Sequence, residues 1–196
     1  VDFAGAGGGG ERMYAALLGR TPALAAEVTR LKDGRTLIRS LNLTGPGISV
    51  DGDGDRGIFG DLSFKGKATV SNLAAAAPNA RGGLSGGWSA KQGRPGSPWE
   101  FTFDGRGTRF GSGVVELDRL LGASPRLTLA GAYLPNGDTR IDRSALEGAA
   151  AGATAKGTLV RGGGLDFGVD WRAQGPFGFG PVEIAGQAKG DGKIGG

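Results

Sequence analysis

Residues 165–173 read Leu165-Asp166-Phe167-Gly168-Val169-Asp170-Trp171-Arg172-Ala173. Every second side chain is apolar, and Asp166, Gly168, Asp170 and Arg172 fall between them. A helix would place its apolar residues three and four apart. Period two is the signature of a strand with one apolar face and one wet face. The same pattern recurs outward in both directions. Leu62, Phe64, Gly66, Ala68 and Val70 oppose Ser63, Lys65, Lys67, Thr69 and Ser71. Trp99, Phe101 and Phe103 oppose Glu100, Thr102 and Asp104. Leu127, Leu129, Gly131 and Tyr133 form another apolar row, and Val182, Ile184, Gly186 and Ala188 oppose Glu183, Ala185, Gln187 and Lys189. Weaker strand patterns cover 26–32, 35–43, 84–92, 139–148 and 153–161.

Turn residues separate these runs: Lys32-Asp33-Gly34, Asp51-Gly52-Asp53-Gly54-Asp55, Pro135-Asn136-Gly137-Asp138 and Arg161-Gly162-Gly163-Gly164. Connections this short join antiparallel neighbours, because a parallel crossover needs a dozen residues or more. Helical signals are few. Residues 11–19 carry Met13, Leu17 and Leu18 at near-helical spacing, stopped by Gly19 and Pro22. A second helical turn fits 23–27, and a third fits 116–121, closed by Gly122 and Pro125.

The expected fold is therefore all-β: a long antiparallel meander of about ten strands. Its domain reading is a glycine-rich loop and short helix over 1–25, flanking a sheet over 26–196. Such a sheet is apolar on one side, and the helices are too short to cover it. Glycine supplies 42 of 196 residues, about three times its usual share of roughly 7%. Gly66, Gly105, Gly131, Gly157, Gly168 and Gly186 fall inside predicted strands, where glycine marks bends or close backbone approach. The combination predicts a strongly curved, one-layer sheet with an apolar concave groove. An outer-membrane barrel would show aromatic girdles at its strand ends. Trp88, Trp99 and Trp171 follow no such rule.

Composition narrows the chemistry. The chain has no Cys and no His, which removes disulfide scaffolds and the usual ligands and bases of zinc, haem and Ser–His systems. Net charge is +4, from 23 basic and 19 acidic residues. The cations are scattered rather than gathered on one face with stacking aromatics, so no nucleic-acid partner is expected. Gly5-Ala6-Gly7-Gly8-Gly9-Gly10 fits G-x-G-x-x-G, but the strand–helix unit of a dinucleotide site is missing, and it reads as a loop. The run from Asp51 to Asp55 lacks the closing Glu of a calcium loop and reads as a solvated turn. Asp166 and Asp170 share a strand face with Arg172, as surface charges do. No metal, cofactor or catalytic residue is expected.

Several of these stretches resemble a known family. Residues 165–177 followed by 180–186, the string WRAQGPF…GPVEIAG, are similar to the C-terminal region of the TamB family of translocation and assembly module proteins in its alphaproteobacterial form. Residues 116–127 and 62–73, the latter leading to Gly86-Gly87-Trp88-Ser89, resemble other segments of it. Together these span about residues 60–190. The resemblance implies a piece of a periplasmic protein anchored in the inner membrane through a segment outside this chain. It implies a long AsmA-like sheet whose groove conducts phospholipid towards the outer membrane. It also implies work with a TamA-like outer-membrane barrel in outer-membrane protein assembly. Phospholipid acyl chains are then expected against Phe64, Val70, Trp99, Phe101, Phe103, Leu127, Leu129, Leu165, Phe167, Val169, Trp171, Val182 and Ile184. The closing stretch from Gly190 to Gly196 stays within the strand pattern, as expected of a fragment. The other reading of the same alternation is a structural or adhesive β-domain of a secreted surface protein, with a self-filled core.

Overall fold

The computed structural model describes residues 2–4, 17–19, 21–75, 77–179 and 182–196. Alternation becomes strand nearly everywhere it was read. In chain order the strands are β1 (Asp2–Ala4), β2 (Ala23–Arg30), β3 (Thr36–Thr44), β4 (Ile48–Arg56), β5 (Leu62–Val70), β6 (Arg81–Gln92), β7 (Trp99–Gly111), β8 (Arg126–Tyr133), β9 (Thr139–Glu147), β10 (Ala151–Leu159), β11 (Leu165–Gln174), β12 (Phe177–Phe179), β13 (Val182–Ile184) and β14 (Gln187–Gly195). A 3-10 turn, Leu73–Ala75, joins β5 to β6, and helix α1 (Val115–Leu121) joins β7 to β8. Twelve strands form one antiparallel sheet in the order β1 to β11 and then β14; β12 and β13 pair separately. The sheet is unclosed, one layer thick and curved, with β1 and β14 at its edges.

Three expectations are corrected. Residues 23–27 form the start of β2, not a helical turn, because Leu24 and Ala26 keep the period of two. The Asp–Gly run from Asp51 to Asp55 is the body of β4, not a turn. Its alternation puts the carboxylates on the wet face, with Asp51 opposite Lys67 and Asp53 opposite Lys65. The single strand expected from Val182 to Lys189 is broken in two, because the backbone turns at Gly186 with φ of 149°. The glycine run 5–10 and helix residues 11–16 lie outside the described residues; Leu17 and Leu18 are helical.

The sheet contains the same architecture twice. The strands β2, β3, β4 and β5 begin at Ala23, Thr36, Ile48 and Leu62. The strands β8, β9, β10 and β11 begin at Arg126, Thr139, Ala151 and Leu165, each 103 residues later. Registers repeat with them. Val28 pairs with Ile38 after a bulge in β3, and Gly131 pairs with Ile141 after a bulge in β9. The helical turn before each unit repeats too. The Leu17 carbonyl accepts the Gly47 N–H at 3.1 Å, and the Leu120 carbonyl accepts the Ala150 N–H at 2.7 Å. Gly19 and Gly122 both have φ of 70°. Leu17-Leu18-Gly19 with Pro22, and Leu120-Leu121-Gly122 with Pro125, are part of its sequence trace, and Gly34 and Gly137, Ile38 and Ile141, and Phe64 and Phe167 are identical at the same spacing. This is the signature of a tandem structural repeat.

Helical pieces gather at one end of the sheet. Leu17–Leu18, the 3-10 turn, α1 and the β12–β13 pair all lie at the strand ends opposite the tight turns. There the Asp118 carboxylate accepts the Ser112 hydroxyl at 2.7 Å and meets Arg81 at 3.0 Å. Arg119 donates to the Pro176 carbonyl, tying α1 to the segment before β12.

Candidate functional site: the apolar face of the sheet

Directly paired residues of an antiparallel sheet share a face. The pairings therefore place Phe64 with Ala90 and Phe101. They continue through Phe101 to Gly131 and through Phe103 to Leu129. In the second half Gly157 pairs with Phe167, Ala155 with Val169 and Ala153 with Trp171. Eleven of the thirteen sequence-predicted groove residues thus lie on one face: Phe64, Val70, Trp99, Phe101, Phe103, Leu127, Leu129, Leu165, Phe167, Val169 and Trp171. Val182 and Ile184 belong to the separate β12–β13 pair, not to the long sheet.

The same face holds residues that the sequence reading left out. Ile48 pairs with Val70, Val50 with Ala68, Leu43 with Val50 and Leu84 with Val70. Ile141 and Leu146 continue the row across β9, and Ile194 closes it on β14. Trp88, the largest of them, was legible from its parity with Leu84 in the predicted 84–92 strand.

Glycine determines how the aromatic rings lie. Trp88 crosses Gly66 and reaches β4, where its indole Nε1–H donates to the Asp51 carbonyl at 3.2 Å. A Cβ on Gly52 would stand 2.9 Å from that ring. A Cβ on Gly105 would stand 2.6 Å from the Phe103 ring, and one on Gly190 2.8 Å from Trp171. The rings lie flat across these gaps and make the wall smooth. Phe64 and Trp99 stack with centroids 6.3 Å apart, bridging the small Ala90 and its neighbours on β6.

Glycine also gives the direction of the bend. On the apolar face Gly52 pairs with Gly66, and Gly86 with Gly105. A Cβ on Gly66 would strike the Asp51 carbonyl, and one on Gly86 would strike the Asp104 carbonyl. In a flat sheet a Cβ stands clear of the neighbouring backbone. Here the next strand has swung up towards the apolar side. Two mid-strand glycines of the polar face show the opposite: Gly87 has nothing nearer than 3.8 Å, and Gly168 nothing within 4 Å. Gly168, expected to mark a bend, marks none. The sheet folds towards its apolar face along glycine creases.

Among the described residues no second layer covers that face. Among the described residues no large side chain is fully buried, and the buried apolar residues are Leu17, Leu121, Ala132, Ile141 and Ala173. Trp171 remains 45% exposed and Leu165 38%.

The opposite face is a polar ladder. Arg126 grips Asp104 through two bonds of 3.0 and 2.6 Å, and Ser89 meets Thr102 at 2.7 Å. The Arg126 hydrogen bond holds the Asp104 carboxyl below its ordinary pKa. Hydrogen bonds from Ser112 do the same for Asp118. Among the described residues no group of three His, Cys, Asp or Glu is placed to hold a metal ion. No described helix is long and apolar enough to cross a membrane. No protein-family model matches the chain, and neither a curated protein nor a solved structure matches it.

Proposed function

We propose that this chain is a non-enzymatic groove segment that carries phospholipid acyl chains across a bacterial periplasm. The proposal includes its place in an inner-membrane-anchored envelope protein of TamB type, working with a TamA-like outer-membrane barrel. The observation that carries it is the uncovered apolar face, continuous from β2 to β14 and folded inwards. Strands spaced about 4.8 Å apart make that trough roughly 50 Å long. Each buried methylene contributes about 0.8 kcal/mol, so a few carbons of an acyl chain bind usefully. A smooth wall of flat rings holds no carbon more tightly than the next, which lets a chain slide. Polar residues of that face, Arg30, Thr36, Arg56 and Gln92, sit at the tight-turn rim, where a phosphate headgroup would reach water.

Photo-crosslinking residues at Phe101, Phe167 and Val169 test the reading in cells. Phospholipid adducts at all three are expected, with lipid recovered from the purified protein by mass spectrometry. Adducts only to neighbouring protein side chains would overturn it and favour the self-filled β-domain.

A further inference from the structure

Five hairpin turns share the end of the sheet away from the helical pieces, and they close alike. In each, an N–H reaches back across two central residues: Gly34 to the Leu31 carbonyl at 3.1 Å, Gly60 to Gly57 at 3.1 Å, Ser97 to Arg94 at 3.0 Å, Gly137 to Leu134 at 2.9 Å and Gly163 to Val160 at 3.0 Å. The centre of such a turn faces solvent and favours Pro, Gly, Asn, Asp and other polar residues. Four turns obey, with Lys32-Asp33, Pro95-Gly96, Pro135-Asn136 and Arg161-Gly162. The β4–β5 turn does not. Its centre is Ile58-Phe59, 59% and 82% exposed, and Phe59 is the most exposed large apolar residue among those described. The repeat supplies the control. In the equivalent β10–β11 turn, 103 residues later, Arg161 and Gly162 stand at these two positions, so the architecture does not call for apolar side chains there.

We propose that the Ile58–Phe59 tip, with the cations around it, is a docking point for the surface of an anionic lipid bilayer. Charge complementarity selects this occupant. The turns on either side lie against the tip: a Cβ on Gly60 would stand 2.9 Å from Pro95, and one on Gly34 3.9 Å from Ile58. From the last ladder pair of each hairpin outwards, these turns cover residues 30–36, 56–62 and 92–99. They carry Arg30, Lys32, Arg35, Arg56 and Arg94 against Asp33 and Asp61. Arg35 pairs with Asp33 at 2.8 Å, and among the described residues the other four cations have no ion pair. The two remaining turns, 133–139 and 159–165, carry one charge each, Asp138 and Arg161. Positive charge and exposed apolar side chains therefore coincide at one place on this rim. A bilayer interface complements both within one layer, with anionic headgroups for the cations and the acyl boundary beneath for the ring. The tip lies beyond the ladder, so the inference stands whatever fills the trough.

The whole chain is sedimented with vesicles of phosphatidylcholine, with and without phosphatidylglycerol. Binding is expected to the anionic vesicles and not to the neutral ones, and is expected to weaken as salt is raised. Ile58→Ser with Phe59→Ser is expected to weaken it at least about tenfold, with the circular dichroism spectrum unchanged. Arg56→Gln with Arg94→Gln is expected to weaken it several-fold. A local readout uses the absence of Cys from the chain. Ile58→Cys and Asn136→Cys each take one environment-sensitive fluorophore, at the apolar tip and at a polar one. Anionic vesicles are expected to shift the emission to the blue at position 58 and to leave it unmoved at 136. Failure to bind anionic vesicles would overturn the proposal in favour of a protein pocket for Phe59. Full binding by the Ile58→Ser, Phe59→Ser variant, or equal shifts at the two labelled tips, would overturn it as well, by placing the contact elsewhere on the sheet.

Discussion

At the residue scale the glycines carry the argument. Gly66 and Gly168 both sit in mid-strand, yet a Cβ meets backbone at the first and open space at the second. Gly66→Val is expected to destabilise by about 1–3 kcal/mol, because the Asp51 carbonyl belongs to a paired strand and cannot move aside. Gly168→Ala is expected to be neutral or to stabilise by about 0.5–1 kcal/mol through the unfolded chain. Urea denaturation of the two variants measures this, and equal losses would refute the inward bend. The carboxylates add a pH dependence. Asp33, Asp104 and Asp118 all have folded pKa values lowered, through hydrogen bonds from Arg35, Arg126 and Ser112 respectively. Their contribution is complete above the unfolded value of about 3.9 and disappears as pH falls through the lower folded values. Arg126→Ala removes the cause at Asp104. Followed by circular dichroism in acid, it is expected to lose some stability at neutral pH, and the acid-dependent part of the loss to shrink below pH 4.

At the element scale pairing distinguishes strands that look alike in sequence. β5 to β8 are hydrogen-bonded on both sides, whereas β14 is bonded on one. In dilute protein, hydrogen exchange along β14 is expected to alternate. Gly190, Gly192 and Ile194 should exchange slowly, and Lys189, Asp191 and Lys193 quickly. Uniform exchange along the strand would contradict the assigned register. The short helical pieces matter through where they end. Leu121, 4% exposed, sits where the α1 carbonyls accept N–H groups from the β9–β10 turn. The signal for α1 was plain in the sequence, because Gly122 and Pro125 bound it. The false helix at 23–27 arose from Ala-rich composition, and the cross-strand partners Leu41 and Leu43 overrode that propensity.

At the scale of the whole molecule the chain resolves a conflict between its two faces by bending rather than by layering. An uncovered apolar trough is expected to bind an environment-sensitive apolar dye in the native state at neutral pH. Phe101→Asp with Phe167→Asp is expected to cut that binding several-fold, whereas Thr102→Asp with Asp166→Ser, on the outer face, should leave it unchanged. Equal effects from the two pairs, measured by fluorescence titration on folded protein, would remove the distinction between the faces.

The amino-acid sequence alone determined the strand type, the antiparallel order and the membership of one apolar face. These follow from local facts: a side-chain period of two and connections too short for a crossover. Trp88 and Ile48 shared that parity and were legible in the same way. The tertiary structure alone decided the rest. It decided that the Asp51–Asp55 run is strand, since only the facing Lys65 and Lys67 make its carboxylates welcome there. It decided which glycines crease the sheet, because a glycine carries no mark of what approaches it. It also revealed the 103-residue repeat, in which the bulges and registers from β2 to β5 recur from β8 to β11 although most side chains differ. Hydrogen-bond register is a relation between distant strands, and no single stretch of chain contains it.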